Sequence, residues 1–319
     1  MRVLVTGGCG YKGSVLVPKL LAAGHEVVVV DAQWFGVNIA EHENLTLIKA
    51  DVRDSRAHLA CEGAEAIIHL AGIANDPCGE LDAKLTWEVN VLATMQLADA
   101  AARAGVKQFI FASSASVYGL KGDKEVTEED TLAPVSDYNK TKMCAERILL
   151  SYADRMRVQI IRPATVCGVS PRQRLDTMVN ALTTQALQNK RITAHCGEHG
   201  GGLMRPNTHI QDICELYCWL LERPQLTGVW NAGFENVSAL DTAKMIAEQI
   251  EAEIEITRVK DKRSYAVSSE KLRRAGFHPR HSVNEAISDI ARAWHRGEIV
   301  MHPRTRNLEW MRSQGLVTA

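Results

Sequence analysis

The chain of 319 residues has eight cysteines, but no two of them form a CxxC pair. Cys214 and Cys218 lie one helical turn apart, yet no group of histidines and cysteines near them completes a zinc-binding set. We therefore expect no metal site. The scattered cysteines predict reduced side chains that mostly pack in the core, and with them a cytoplasmic protein.

An excess of charge and a long apolar run are also missing. Lys and Arg total 37 against 38 Asp and Glu, which gives a formal net charge of -1. This balance argues against a nucleic-acid partner and against a polybasic membrane surface. No apolar run approaches the roughly 20 residues of a membrane-spanning helix, and the run Val3–Val5 is too short for a signal peptide. We expect no membrane partner, and any bound anion must be held by a local site.

What the first half contains is an alternation of short β-branched runs with longer amphipathic segments. The predicted strands are Val3–Thr6, Glu26–Asp31, Leu45–Ala50, Ala66–Leu70, Gln108–Ser113 and Gln159–Arg162. The predicted helices are Gly13–Ala23, Asp82–Ala104 and Asp137–Ala153. Uninterrupted apolar runs such as Val27–Val30 suit parallel strands that are covered on both faces. The pattern predicts an α/β fold with a doubly wound parallel Rossmann sheet.

After Arg162 the alternation breaks, and two amphipathic helices follow at Ser238–Ile250 and Val283–Trp294. We expect a smaller α/β cap domain that binds substrate and is assembled from residues 165–205 and 235–319. Residues 1–164, with a further segment near 206–234, then form the larger domain, built around the parallel sheet. The tail from Arg296 onward shows no pattern that assigns it to an element.

A glycine-rich turn, Thr6-Gly7-Gly8-Cys9-Gly10-Tyr11-Lys12-Gly13, follows the first strand and opens a helix. Such glycines permit a tight turn and bring backbone amides close to a pyrophosphate at the helix N-terminus. Asp31 ends the second strand 18 residues after Gly13, where a carboxylate accepts both ribose hydroxyls and repels a 2′-phosphate. The cofactor is therefore predicted to be NAD rather than NADP. Lys12 occupies a position that is commonly apolar, so it is either an extra cation for the pyrophosphate or a solvated lysine.

Tyr138 and Lys142 are four residues apart and lie on one face of a predicted helix. A phenol with a pKa of about 10 is a poor base at neutral pH. A neighbouring ammonium group and a positive nicotinamide ring both stabilise the phenolate. Ser114 ends the strand that enters the same crevice, so the three side chains form a candidate site for removing a hydroxyl proton.

Together these motifs resemble the extended short-chain dehydrogenase/reductase family, in its NAD-dependent epimerase/dehydratase branch that acts on nucleotide sugars. The resemblance covers nearly the whole chain, and it implies catalytic roles for Ser114, Tyr138 and Lys142. The cofactor contacts that it implies come from Gly7, Gly10, Tyr11, Lys12, Gly13, Asp31, Asp51, Val52, Leu70, Ala71, Gly72, Asn90, Ala112, Tyr138, Lys142 and Pro163.

The resemblance also implies where the nucleotide sugar binds. The segment that begins at Arg205 and the segment that contains Arg263 match family segments whose arginines grip the sugar-nucleotide diphosphate, as a planar guanidinium suits. Ser114 is expected to touch the reacting sugar oxygen. Residues 168–180 resemble a narrower subgroup of epimerases and C4 dehydrogenases, in which Arg174 or Asn180 either touches the substrate or holds the loop.

Two departures from the family pattern bear on the reaction. Dehydratases of this family place Asp-Glu directly after the catalytic hydroxyl residue, whereas Ala115 and Ser116 follow Ser114 here, which argues against 4,6-dehydration. Cys167 and Thr165 replace a frequent tyrosine and asparagine near the sugar pocket. Because no base is evident beside Cys167, it is expected to be part of the pocket wall rather than a nucleophile.

The predicted reaction is NAD-dependent oxidation and epimerisation at a sugar carbon, C4 above all, of a nucleoside-diphosphate sugar, through a keto-sugar intermediate. The same residues serve a C4 dehydrogenase that releases the keto sugar, and a non-catalytic NAD-binding relative is a third reading. In the family, helices that correspond to Asp82–Ala104 and Asp137–Ala153 pair with their copies in a four-helix bundle. A homodimer is therefore expected, the alternative being a monomer in which their apolar residues pack on the sheet.

Overall fold

The computed structural model of the protein describes residues 1–122, 124–197, 203–259 and 264–315. Its strands are β1 (Arg2–Thr6), β2 (Glu26–Asp31), β3 (Leu45–Lys49), β4 (Ala66–His69), β5 (Gln108–Ala112), β6 (Glu125–Val126), β7 (Arg157–Pro163), β8 (Thr165–Cys167), β9 (Arg191–Gly197), β10 (Met204–His209), β11 (Gly228–Ala232), β12 (Glu235–Ser238), β13 (Glu253–Val259) and β14 (Ala266–Val267). Its α-helices are α1 (Gly13–Ala22), α2 (Ser55–Leu59), α3 (Asp76–Gly79), α4 (Ala83–Trp87), α5 (Ala93–Ala104), α6 (Asp137–Leu150), α7 (Met178–Asn189), α8 (Ile210–Leu221), α9 (Ala239–Ile250), α10 (Glu270–Arg274), α11 (Val283–His295) and α12 (Asn307–Ser313).

Seven strands form one parallel sheet in the order β11-β7-β5-β4-β1-β2-β3. Helices α1 and α8 cover one face of this sheet, and α5 and α6 cover the other. The four valines of β2 are at most 1% exposed, as the uninterrupted apolar run requires for a strand covered on both faces. The predicted doubly wound Rossmann sheet is thus confirmed.

The predicted elements of the first half appear with ends that shift by one to three residues. The predicted helix Asp82–Ala104 is observed as α4, a π-helical turn at Glu88–Leu92, and α5. Asp82 caps it, since its carboxylate accepts a hydrogen bond from the amide of Leu85 at 2.9 Å. None of the helices within the described ranges is long and apolar enough to cross a bilayer.

The second half contributes to both parts of the structure. Strand β11 extends the large sheet beside β7, and α8 packs on α1. Strand β10 instead lies between β8 and β12 in a smaller sheet, and β9 pairs with β13. Helices α7, α9 and α11 pack around a separate apolar cluster. The division into a dinucleotide-binding domain and a cap domain remains a prediction.

The sequence analysis missed α7 and α8, and it left the tail unassigned. Helix α8 is buried around much of its circumference, with eight of its twelve residues buried. The tail contributes a 3₁₀ turn at Pro303–Thr305 and helix α12. Met311 of this helix is buried in the apolar cluster on the face of the large sheet that α5 and α6 cover. The indole nitrogen of Trp310 donates to the carbonyl of Trp34 at 2.7 Å, so the tail returns to the loop after β2.

A buried ion pair fixes α6 to the sheet. Arg162 on β7 donates from Nε to Glu146 Oε1 at 2.9 Å and from Nη2 to Oε2 at 2.7 Å. The third nitrogen, Nη1, donates to the hydroxyl of Tyr118 at 2.8 Å, and Ser113 at the end of β5 donates to the same carboxylate. The side chains of Arg162 and Glu146 are 5% and 1% exposed, so each charge depends on the other.

Replacing Arg162 by Met should destabilise the protein by about 3–5 kcal/mol, because Glu146 is left buried without its counter-charge. Urea unfolding measures this free energy. The double variant Arg162→Met/Glu146→Leu should recover much of the loss, since both charges are then gone. Arg147→Met, at an exposed position on α6, is the matched control and should change stability by no more than about 0.5 kcal/mol. Equal losses in the control and the single variant would contradict a special role for the pair.

Candidate active site

A cavity of about 550 Å³ opens where the carboxyl ends of β1, β2, β4, β5 and β7 meet the segments that follow β8. It is the crevice in which a doubly wound sheet ordinarily binds its ligand. The predicted site residues on its wall are Gly7, Gly10, Tyr11, Lys12, Gly13, Asp31, Asp51, Val52, Leu70, Ala71, Gly72, Ser114, Tyr138, Pro163, Arg174 and Arg205.

The glycine turn has no room for side chains at two positions. Gly7 has a φ of +75°, and a Cβ added to it would lie 2.6 Å from the amide nitrogen of Ala71. A Cβ on Gly13 would lie 2.5 Å from the carbonyl oxygen of Gly7. The turn thus packs backbone against backbone, and α1 begins at once with its positive end at the cavity. This arrangement provides a cradle for a phosphate group.

Asp31 lies on the cavity wall at the end of β2. Its Oδ2 accepts a hydrogen bond from the amide of Cys9 at 2.9 Å, and its Oδ1 accepts one from the amide of Gln33 at 2.6 Å. Burial raises the pKa of this carboxyl group, while the two amides and the positive charge of Arg172 oppose the rise. The carboxylate is fixed by backbone, which suits recognition of ribose hydroxyls and disfavours an added phosphate.

The structure brings Ser114, Tyr138 and Lys142 together. Ser114, directly after β5, and Tyr138, near the start of α6, both line the cavity, and the Ser114 hydroxyl is close enough to Tyr138 to act on its pKa. Lys142, one turn along α6, is 5% exposed and donates from Nζ to the carbonyl oxygen of Ala112 at 3.0 Å. Ala112 therefore holds the lysine through its backbone. The triad is ready to handle a hydroxyl proton at this end of the cavity.

Burial sets the protonation of this group. It raises the pKa of Tyr138, and the hydrogen bond from Ser114 opposes that rise. It lowers the pKa of Lys142 to about 7, to which the ammonium group of Lys12 adds repulsion, while Glu146 acts in the opposite sense. The pKa of Lys12 falls to about 8, again mainly through burial.

Lys12 is half-buried on the cavity wall, and its Nζ lies 5.7 Å from the centre of the Tyr217 ring. A solvated lysine would show neither the contact nor the lowered pKa. Of the two roles that the sequence left open, the structure therefore supports a cation inside the cavity.

Besides Ala112 and Lys142, two predicted site residues lie behind the wall rather than on it. Asn90 is 1% exposed; it accepts from the amide of Ile73 at 2.8 Å and donates to Thr141 Oγ1 at 3.1 Å, which joins the loop after β4 to α6. Asn180 is fully buried; its Oδ1 accepts from the amide of Gly168 and its Nδ2 donates to the Tyr11 hydroxyl, at 2.9 Å each. This supports the alternative in which Asn180 holds the loop.

Cys167 was expected in the pocket wall, and that expectation is wrong. It is 0% exposed, is absent from the cavity lining, and donates from Sγ to the carbonyl of Thr208 at 3.5 Å. Burial raises the pKa of its thiol. Cys167, the last residue of β8, packs in the apolar cluster of the second half, whereas Thr165 and Val166 of the same strand line the cavity.

The arginines predicted to bind substrate have different surroundings. Arg174 is on the cavity wall, where its Nε donates to Asp176 Oδ1 at 2.8 Å. Arg205 is also on the wall, and its Nη1 donates to the carbonyl of Met204 at 3.1 Å. Arg263 lies outside the described residues.

The sequence analysis missed several residues of the wall, among them Arg172, Trp34, Phe35 and Asn307. The run Arg172-Gln173-Arg174 was the available signal for the first of them, but it indicated only a loop. Asn307 carried no signal, because its segment had no pattern at all.

The lowered pKa of Lys142 predicts how the stability of the ligand-free protein depends on pH. Below pH about 7, Lys142 of the folded chain is a buried ammonium, which lowers the free energy of unfolding. Between pH about 7 and about 10.4 the folded chain has lost this proton while the unfolded chain retains it, so the destabilisation decreases as the pH rises. The stability of Lys142→Met relative to the unaltered protein should therefore be greatest near pH 6 and fall by about pH 9.5. Urea unfolding at both pH values measures it.

Lys140→Met is the control for this experiment, since Lys140 lies on the same helix with its side chain 47% exposed. Its effect should be small and nearly the same at both pH values. A pH-independent difference for Lys142→Met would show that burial does not depress the ionisation of this lysine.

Comparison with known proteins adds to this geometry. The model of the family described as "NAD dependent epimerase/dehydratase family" matches residues 3–233. The UDP-glucose 4-epimerase of Corynebacterium glutamicum is 29% identical over 316 residues, which cover 92% of this chain and 95% of that protein.

Two solved structures show the same fold at full length. The UDP-glucose 4-epimerase of Thermus thermophilus, in complex with NAD, aligns with a TM-score of 0.78 at 27% identity, over 94% of this chain and 100% of that one. MoeE5 in complex with UDP-glucose and NAD aligns with a TM-score of 0.82, also at 27% identity and with the same coverage.

Proposed function

The chain belongs to the NAD-dependent epimerase/dehydratase family, and from this membership we propose that it is an epimerase that inverts C4 of a nucleoside-diphosphate sugar, a UDP-hexose, through a keto-sugar intermediate. The observation that carries the proposal is the meeting of Ser114, Tyr138 and Lys142 at one end of the cavity that also holds the glycine turn. The likeness to UDP-glucose 4-epimerases at nearly full length supports the choice of sugar nucleotide.

The residues present fit NAD as the cofactor. The turn at Gly7 and Gly13 packs backbone against backbone on the cavity wall, and the carboxylate of Asp31 is fixed at the far end of β2. The first would hold the pyrophosphate and the second the adenosine ribose. Bound there, NAD supplies the acceptor and later the donor of the hydride that the sugar carbon exchanges.

In the proposed reaction Tyr138 accepts the proton of the sugar hydroxyl. Ser114 lines the cavity together with Tyr138 and forms a hydrogen bond with the same sugar oxygen. The ammonium form of Lys142, one helical turn away, stabilises the phenolate by its positive charge. When the keto sugar is reduced on its other face, Tyr138 returns the proton to the sugar oxygen and is a phenolate again.

The same triad would serve a dehydrogenase that releases the keto sugar, which remains the second candidate. Dehydration is less well supported, because Ala115 is 1% exposed and Ser116 is hydrogen-bonded to Ser114 at 2.8 Å where dehydratases carry an acid and a base. The intact triad argues against a non-catalytic relative.

On the sugar-nucleotide side, Arg174 and Arg205 are placed to meet the diphosphate. Both line the cavity, and a guanidinium offers phosphate oxygens a planar pair of donors. We propose the same role for Arg263. We further propose a cytoplasmic enzyme in two domains, in which the eight cysteines stay reduced; none is paired in the structure.

Tyr138→Phe tests the chemistry, because it removes the proton acceptor and keeps the ring. Conversion of UDP-galactose into UDP-glucose should fall by about 10²–10⁴-fold, with little change in substrate affinity. The assay identifies the sugar product and follows the absorbance of reduced cofactor, so accumulation of keto sugar would identify a dehydrogenase. Tyr152→Phe, just beyond α6 and off the cavity wall, is the control. Near-normal turnover in Tyr138→Phe would reject the catalytic assignment.

The assembly that we propose is a homodimer in which α5 and α6 pair with their copies in a four-helix bundle. Leu92 and Met95 support it, since they are 49% and 41% exposed on the helix that ends in α5. Apolar side chains with this exposure are stabilised when a second copy covers them. The interface would brace α6 and with it Tyr138 and Lys142.

Introducing charge should break this dimer. The variant Leu92→Glu/Met95→Glu should sediment as a monomer at micromolar concentration, because the interface would have to bury unpaired carboxylates. The unaltered protein should sediment near twice the monomer mass. Leu59→Glu, at a leucine that is 60% exposed on α2, is the control and should leave the dimer intact. A monomeric, fully active unaltered protein would exclude the bundle.

A further inference from the structure

Arg172 is a buried arginine on the cavity wall, outside every role assigned so far. It is 4% exposed, and its guanidinium lies 3.9 Å from the centre of the Phe35 ring. Nη2 donates to Asn307 Oδ1 at 2.6 Å. Within the described part of the chain, Nε and Nη1 are buried and have no hydrogen-bond acceptor. A charged group seldom loses water without a partner, so these two donors indicate a ligand that supplies the acceptors.

The nearby carboxylate of Asp176 is already engaged. Asp176 Oδ1 accepts from Arg174 Nε at 2.8 Å, and Oδ2 accepts from the amide of Asn307 at 3.0 Å. Burial, with repulsion from Arg174, lowers the pKa of Arg172 to about 9. An anion that enters the cavity would offset that cost, and phosphate oxygens would supply the acceptors that Nε and Nη1 lack.

The backbone around Arg172 is tied to the glycine turn. Its amide donates to Ser14 Oγ at 3.2 Å, and Ser170 Oγ donates to the carbonyl of Tyr11 at 2.8 Å. The hydroxyl groups of Ser14 and Ser170 are 2.9 Å apart. Because Tyr11 and Ser14 flank the start of α1, this segment holds Arg172 beside the cradle for the cofactor pyrophosphate rather than on the sugar side.

The tail fixes the other side of the arginine. The amide of Leu175 donates to the carbonyl of Thr305 at 2.8 Å, and Trp310 donates to the carbonyl of Trp34 at 2.7 Å. Residues 303–310 therefore bridge the loop after β2 and the segment that carries Arg172. Asn307 stands in the middle of this bridge and orients the guanidinium.

We propose that Arg172 binds the pyrophosphate of NAD and that Asn307, from the C-terminal tail, is the residue that positions it. The inference rests on NAD as the cofactor and not on which sugar is transformed. A diphosphate also belongs to the sugar nucleotide, so the chemistry of recognition is shared, and the test must separate the two sources.

The experiment measures binding to the full-length protein after bound nucleotide has been removed. Calorimetric titration with NAD should show about 10- to 100-fold weaker affinity for Arg172→Gln, the loss expected for hydrogen bonds to a charged group. Asn307→Ala should weaken the affinity for NAD by about fivefold, since the arginine keeps its charge and loses only the hydrogen bond that orients it. Titration with UDP should give unchanged affinity in both variants.

Salt distinguishes a direct contact from a structural one. The affinity of the unaltered protein for NAD should fall as salt rises; it should fall less in Arg172→Gln, which lacks the charge, and just as steeply in Asn307→Ala, which keeps it. Arg306→Gln, an exposed neighbour of Asn307 that pairs with Glu309, is the control and should bind NAD normally.

Three outcomes would overturn the proposal: unchanged NAD affinity in Arg172→Gln, weakened binding of UDP in place of NAD, or an unchanged salt dependence in Arg172→Gln. If that variant does not fold, Asn307→Ala decides, and normal NAD affinity in it would reject the role of the tail. These experiments measure binding of NAD and not turnover. A negative result would therefore reject the role of Arg172 without rejecting the proposed epimerase reaction, which the turnover of Tyr138→Phe tests separately.

Discussion

The pair of buried charges formed by Arg162 and Glu146 is the constraint on which the site depends. It joins β7 to α6, and through Ser113 it reaches the end of β5. These are the three elements that meet around the triad. Water cannot replace either partner at 5% and 1% exposure, so α6 cannot shift along the sheet without breaking several charged hydrogen bonds. The helix that carries Tyr138 and Lys142 is held in one position.

The cavity places cations where water is scarce. Burial lowers the pKa values of Lys12, Lys142 and Arg172, and the first two repel each other. Such an arrangement costs stability in the absence of a ligand, which is typical of functional sites. An anionic ligand reduces the cost, and the same charges then contribute to binding. Asp31, at the end of β2, adds a carboxylate to the same cavity wall.

Side chains outside the wall make the wall rigid. Asn90 and Asn180 each connect segments that are distant in sequence, and each satisfies backbone groups that would otherwise be buried without partners. In the proposed cofactor contact Asn307 does the same for Arg172. The geometry of the site therefore depends on buried amides as much as on the residues that face the ligand.

The sequence by itself determined the features that arise from local periodicity and steric rules. The parallel sheet follows from apolar runs such as Val27–Val30, the phosphate cradle from glycines that exclude a Cβ, and the shared face of Tyr138 and Lys142 from the pitch of a helix. Each follows from the local sequence, although the atom that excludes a Cβ at Gly7, the amide nitrogen of Ala71, belongs to a distant segment.

Only the tertiary structure decided which side chains face the cavity and which face the core. Cys167 lies behind the wall and Asn180 holds a loop because of how β8 and α7 pack, not because of their neighbours in sequence. The contact between Arg172 and Asn307 spans 135 positions, and the tail that makes it has no periodic pattern. Long-range packing determines burial, and burial in turn sets the pKa values and the unpaired donors of the site, so a sequence pattern alone could not reveal them.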